Sequence, residues 1–110
     1  MSFSNKVILV GYVGQEMGLV ELADGKKVLH FNLVTNEVYS FNNERKEETI
    51  WHQITAWDGI AETLAKHVKK GHLLGINGRI ATDSYEKMGV KIKTYTIVAE
   101  EIQLFEKKVD

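Results

Sequence analysis

The chain contains neither cysteine nor proline among its 110 residues. Without cysteine there is no disulfide framework, no thiolate metal site and no thiol nucleophile, so the fold does not depend on an oxidising compartment. Without proline, and with no stretch of low complexity, nothing marks a linker, and no internal repeat is visible. The length suits one domain, large enough to bury a single core without staples. Long apolar runs are missing too. The longest, Val7 to Val10, is far too short to cross a bilayer. The amino terminus, MSFSNKVILVGYVG, has neither the charged, apolar and small-residue succession of a signal peptide nor the arginine content of a mitochondrial transit peptide. A cytoplasmic location with no membrane partner is expected.

Excess positive charge is also lacking: the net charge is −1, with 26% charged residues. A nucleic-acid binder ordinarily shows a basic footprint, and the chain as a whole does not. Its charge is segregated, however. Between Lys66 and Lys93 there are seven bases (Lys66, Lys69, Lys70, Arg79, Lys87, Lys91, Lys93) against two acids, Asp83 and Glu86. The remainder is acidic. Such segregation is compatible with a positive groove on an otherwise negative body.

What is present reads mainly as strand. Lys6–Val13 is apolar, rich in β-branched residues and bounded by glycine. Leu19–Leu22 is a weaker candidate, followed by a turn at Asp24-Gly25. Val28–Glu37 alternates, with Leu29, Phe31 and Leu33 on one face and His30 and Asn32 on the other. The polar stretch Tyr39–Glu48 reads as a loop or the splayed tip of a hairpin, and Glu48–Trp57 as a further strand. One helix follows. Asp58 suits its N-cap; Ile60, Ala61, Leu64, Ala65 and Val68 form its apolar stripe, and Gly71 is the expected C′ residue. Leu73–Tyr85 and Lys91–Phe105 are two long strands joined near Met88-Gly89.

Three strands, a helix and two strands make an all-β chain with one short helix. That is the layout of the five-stranded Greek-key oligonucleotide-binding (OB) barrel, which carries its helix between strands three and four. An SH3-like barrel and an open α+β sheet are the competing architectures.

The informative segment is Thr49–Trp57. Alternation places Thr49, Trp51, Gln53, Thr55 and Trp57 on one face, and Ile50, His52, Ile54 and Ala56 on the other. With the apolar face in the core, both tryptophans are displayed among polar neighbours, where large aromatics usually have a partner. Nucleobases fit, because every base has a π-face. The opposite assignment, with both indoles in the core, is the competing reading. Tyr39 and Tyr85 lie near strand ends, where barrel loops open around a groove. Lys91, Lys93 and Tyr95 line one strand face, with Arg79 opposite them if the last two strands form a hairpin. A plain solvated face would look the same.

The stretches NKVILVGYVGQ (5–15), HFNLVTNE (30–37), ETIWHQITAWDGIAE (48–62) and KKGHLLGINGRI (69–80) closely resemble the bacterial single-stranded DNA-binding protein family, in the family's order and over essentially the whole chain. The resemblance implies an OB domain at 1–106, with 107–110 a short end. It implies sequence-independent binding and protection of single-stranded DNA during replication, recombination and repair, with no cofactor and no catalysis. Trp51, Trp57, Tyr39 and Tyr85 match the family's principal base-stacking positions. Lys6, Lys70, Arg79, Lys87, Lys91 and Lys93 fall where it contacts phosphates. His52 matches a histidine that supports the subunit interface of what is mainly a homotetramer. Ala81, Asp83, Ser84 and Gly59 stand where relatives often carry bases, and Gly75 where a bulkier interface residue is common. Fewer phosphate contacts imply a shallower salt dependence. The chain stops at Glu106–Asp110 without the family's acidic-tipped tail, so tail-mediated recruitment of repair and replication proteins is not expected.

Other readings come from the same residues. His30, His52, His67 and His72 are the acid–base candidates, but none sits in a nucleophile or metal motif, and the glycines match no phosphate loop. No metal site is expected. An OB-fold accessory subunit of primosome type, working through protein contacts, would share the barrel without needing the aromatics. RNA binding is a third option, since nothing here reads a 2′-hydroxyl and the choice of DNA rests on the resemblance.

Overall fold

The computed structural model describes residues 3–15 and 18–105. In chain order the elements are β1 (Val7–Val13), β2 (Gly18–Glu21), β3 (Lys27–Phe41), β4 (Glu44–Trp57), α1 (Asp58–His67), β5 (Leu73–Lys87) and β6 (Val90–Leu104). The expected end segment at 107–110 lies outside the described residues.

Hydrogen bonding runs β1-β5-β6-β4-β3-β2, and a β1–β3 pairing closes five of these strands into a barrel. Closure depends on β1 changing partner. It pairs with β5 from Val7↔Gly78 to Tyr12↔Leu73, while its end also pairs with β3 through Tyr12↔Val34 and Val13↔Leu33. The parallel contact of β4 with β6, Ile54↔Ile97 and Thr55↔Val98, completes the ring. The short β2 adds only to the outside of β3, so α1 sits between the third and fourth barrel strands. The expected OB architecture is the observed one.

The core follows the alternation. Leu29, Phe31 and Leu33 of β3, Ile54 and Ala56 of β4, Val13, Leu74, Ile76 and Ala99 are all buried. Ala61, Leu64 and Val68 bring the apolar stripe of α1 onto the same cluster, so the helix covers an open end of the barrel. Burying a side chain such as Leu64 contributes roughly 1.5–3 kcal/mol, and a ten-residue helix would be marginal without such packing. The Lys27 ammonium bonds Glu62 Oε1 at 2.8 Å, tying β3 to α1; that hydrogen bond and the charge of Glu62 raise the Lys27 pKa above its ordinary value.

Three local expectations change. The helix span opens at Asp58 with Trp57 in the cap position and without a side-chain cap bond; Asp58 itself has a left-handed φ of 47°, and its carboxylate accepts from the Lys27 backbone N–H at 3.0 Å rather than from the first turn. The helix ends at His67, before Gly71, because the backbone turns extended at Val68 and Gly71 N–H bonds Val13 O at 2.8 Å instead. Tyr39–Glu48 is strand almost to its tip. Phe41 pairs with Glu44 across a two-residue turn, Asn42-Asn43, with φ of 53° and 62°. Asparagine tolerates this left-handed geometry, which matches the twist of a hairpin. Met88-Gly89 makes the equivalent turn between β5 and β6, with φ of 52° and 80°. Each hairpin thus has an arm running beyond the barrel.

Candidate nucleic-acid interface

Because Leu33 and Ile54 point inward, their strand neighbours point out. Register then shows which outward residues meet. Trp51 lies opposite Val34, Gln53 opposite Asn32, Thr55 opposite His30 and Trp57 opposite Val28. Across the parallel contact, Thr55 meets Val98, so Thr96 and Thr94 of β6 continue this face, with Ala81, Asp83, Tyr85 and Lys87 opposite that row on β5. One outer surface therefore runs from β3 through β4 and β6 to β5. It carries Trp51, Trp57 and Tyr85, which are 55%, 40% and 51% exposed. Both indoles are outside the barrel.

At the middle of this surface lies a depression of about 300 Å³, lined by His30, Gln53, Thr55, Asp83, Thr94, Tyr95 and Thr96. Its floor is held by a chain of hydrogen bonds. Thr96 Oγ1 donates to the Gln53 carbonyl at 3.3 Å, Thr55 and Thr96 hydroxyls are 2.7 Å apart, and His30 Nδ1 is 3.2 Å from Thr55 Oγ1. Each hydroxyl has one proton to give. With the Thr96 proton on the carbonyl, Thr55 donates to Thr96 and accepts from His30 Nδ1–H. The floor is polar and fixed, and in register Trp51, Trp57 and Tyr85 each lie two residues along a strand from a residue that lines it.

Trp51 is positioned by Gly14. A Cβ built there would run into the Trp51 ring and lie 2.8 Å from Val34 Cγ2, so the indole leans across Val34 onto the space a side chain would fill. Gly14 N–H bonds Asn32 O at 2.9 Å, which anchors the glycine beside β3. The sequence offered no sign of this contact, because residues 14 and 51 meet only once the barrel closes.

The other expected site residues divide. Tyr39 is 50% exposed but lies opposite Lys46, on the face that continues Leu33 and Phe31, so the barrel does not bring it onto the surface of Trp51 and Trp57. Lys91 and Lys93 are opposite Glu86 and Ser84, and with Tyr95 they occupy the face of the β5–β6 arm away from Tyr85 and Lys87. Arg79 is not opposite them, as the hairpin argument had it: it pairs in register with Val98, and its Nε is 3.5 Å from Glu100 Oε2. The register of the last hairpin is set by its two-residue turn and by a bulge at Asn77/Gly78, neither of which the residue pattern fixes. Lys6 is exposed beside the base of that arm, where Asn5 Nδ2 and Oδ1 bond the Ile80 carbonyl and N–H at 2.8 and 2.9 Å. Lys70 stands in the loop bonded to the end of β1.

His52 is half-buried on the inward side, its Nε2 2.8 Å from Thr35 Oγ1, beside an open cavity of about 350 Å³ that Ile80, Tyr95 and Ile97 also line. Among the described residues no group of three or more His, Asp or Glu side chains could hold a metal ion, and no helix is long and apolar enough to cross a membrane. The aromatic that the strand reading overlooked is Tyr12, exposed on the outer side of β1 although both its neighbours in the chain are buried.

Fold and site define a class: an OB barrel presenting exposed aromatics around a polar depression. The particular family follows from comparison with known proteins. The chain belongs to the single-strand binding protein family, whose model matches residues 4–105. The Neisseria meningitidis serogroup A single-stranded DNA-binding protein is 36% identical over 102 residues, covering 91% of this chain and 59% of that one. Single-stranded DNA-binding protein 1 of Chlorobaculum tepidum is 35% identical over 103 residues, covering 91% of this chain and 64% of the relative. This chain therefore spans about six-tenths of the length of the curated relatives it matches. Among solved structures, the Plasmodium falciparum SSB complex with ssDNA superposes with a TM-score of 0.88 at 28% identity, covering 96% of this chain and 98% of that one.

Proposed function

We propose that this protein binds single-stranded DNA without reading its sequence, stacking bases on the outer-face aromatics and neutralising phosphates with lysine and arginine. The observation that carries the reading is the exposure of Trp51, Trp57 and Tyr85 around one fixed polar depression. An indole left half in water on a rigid sheet gains by covering itself, and a base can do that whatever its identity. The related proteins are named for this activity. Lys6, Lys70, Arg79, Lys87, Lys91 and Lys93 form the proposed phosphate set. Tyr39 as a fourth stacking ring, and Lys91 and Lys93 within the phosphate set, reach the DNA by the strand bending round the arms from one face to the other. The role is binding rather than catalysis, in the replication, recombination and repair of a bacterial cytoplasm.

Adding oligo(dT) should strongly quench tryptophan emission. Unchanged emission at low salt would instead favour the accessory-subunit reading, in which the barrel acts through protein contacts. A homotetramer, with His52 in its interface, is the proposed assembly. His52→Lys should then lower the native mass on dilution while the protomer stays folded, as read by light scattering beside circular dichroism. A mass unchanged by that substitution would remove His52 from the interface.

A further inference from the structure

Tyr12 sits in a strand paired on both sides, to Leu73 of β5 and Val34 of β3, between buried Gly11 and Val13, yet it is 39% exposed. Its register partner Val34 is also the register partner of Trp51. Tyr12, Val34 and Trp51 therefore form a row across three strands on the outer surface. Trp51 closes the gap further. Its ring lies over Gly14, two residues along the chain from Tyr12, so the α-carbon under the indole is at most about 7 Å from that of Tyr12. Two rings thus share one small patch, with only the Val34 side chain between their strands.

Positive charge stands next to this patch. Val13 N–H donates to His72 O at 2.9 Å and Gly71 N–H to Val13 O at 2.8 Å, which holds the loop carrying Lys69 and Lys70 against the end of β1. Both lysines are exposed, and neither is in an ion pair among the described residues. A ring pair with an adjacent cation is the arrangement that takes a base and its neighbouring phosphate.

We infer that Tyr12 is a further base-stacking residue, forming with Trp51 a subsite for a nucleobase at the β1 end of the outer face, with Lys70 beside the adjoining phosphate. The inference rests on the single-stranded DNA reading above. It extends the bound strand past Trp51, away from the β5–β6 arm.

The test uses the full chain and oligo(dT) carrying 5-iodouracil at single positions, photocrosslinked and mapped by mass spectrometry, together with affinity measured by tryptophan quenching. Crosslinks are expected at Tyr12 as well as Trp51. Tyr12→Phe should bind within about twofold of the parent, and Tyr12→Ala about five- to a hundredfold more weakly, the loss of one stacked base. Parental affinity in Tyr12→Ala with no crosslink at Tyr12 would overturn the subsite. So would weaker binding without that crosslink, accompanied by altered tryptophan emission in the free protein, since Tyr12 would then only be holding Trp51 in place. The crosslink on the parent protein decides the matter if the alanine variant does not fold. Absence of both quenching and crosslinks everywhere would instead remove the DNA reading itself.

Discussion

The β3–β4 arm and the β5–β6 arm are both antiparallel hairpins closed by two-residue turns, yet they carry opposite charge. From Glu37 to Glu48 the first has four acids and two bases; from Asp83 to Lys93 the second has three bases and two acids. In the first, Lys46 is paired with Glu44 at 3.0 Å and Arg45 faces Glu47 at 3.6 Å, so its cations are answered within the arm. In the second, Lys87, Lys91 and Lys93 take part in no ion pair among the described residues. What the first arm offers a ligand free of ion pairing is its rings, with Trp51 at its root. The second can supply attraction that salt will screen. Unpaired positive charge is thus concentrated on the second arm, which also carries Tyr85, while both tryptophans stand on β4.

The largest effect should come from the stacking side. Trp51→Ala should cost about 1–3 kcal/mol of binding, the range known for bases stacked on OB folds of this family, and the loss should be the same for every homopolymer. A loss confined to particular bases, in fluorescence or filter-binding titrations, would break the comparison. Somewhat smaller is the effect of Gly14→Ala, whose methyl would displace the Trp51 ring. Overpacking of this kind costs typically 1–3 kcal/mol of stability, and tryptophan emission of the free protein should shift. An unchanged spectrum would mean that the ring is not held there.

On the electrostatic side, replacing both Lys91 and Lys93 by glutamine should flatten the logarithmic salt dependence by about 1.4, since each phosphate contact to a single strand contributes roughly 0.7. No change would confine the strand to the outer face and leave Lys87 as that arm's phosphate ligand. The smallest effect sharpens the same point. Asp83 lines the depression on the outer face, so Asp83→Lys should tighten binding and steepen the salt dependence by about 0.7. Weaker binding would show that this carboxylate is used rather than tolerated.

Much of this was readable before folding. Period-two alternation in Val28–Glu37 and Glu48–Trp57 named the buried faces correctly, down to Leu29, Leu33, Ile54 and Ala56, because a strand with one buried face leaves its neighbours no other side. Boundaries were harder. The polar tip at Tyr39–Glu48 looked like a loop since its strands lie beyond the core, where nothing demands alternation. Position near a strand end and family resemblance group Tyr39 with Trp51, whereas register sets them on opposite strand faces. Arg79 was moved from Lys91 and Lys93 by the register of the last hairpin, which no composition encodes.

By itself, then, the sequence determined the inward faces, the one amphipathic helix and the sides on which both tryptophans stand, all consequences of local periodicity acting against water. Tertiary structure decided which distant residues meet: Trp51 over Gly14, Tyr12 in line with both, the lysines of the second arm divided between its faces. Those are matters of register and closure. Register is fixed by turns, a bulge and the whole set of pairings together, so it exists only when the barrel does.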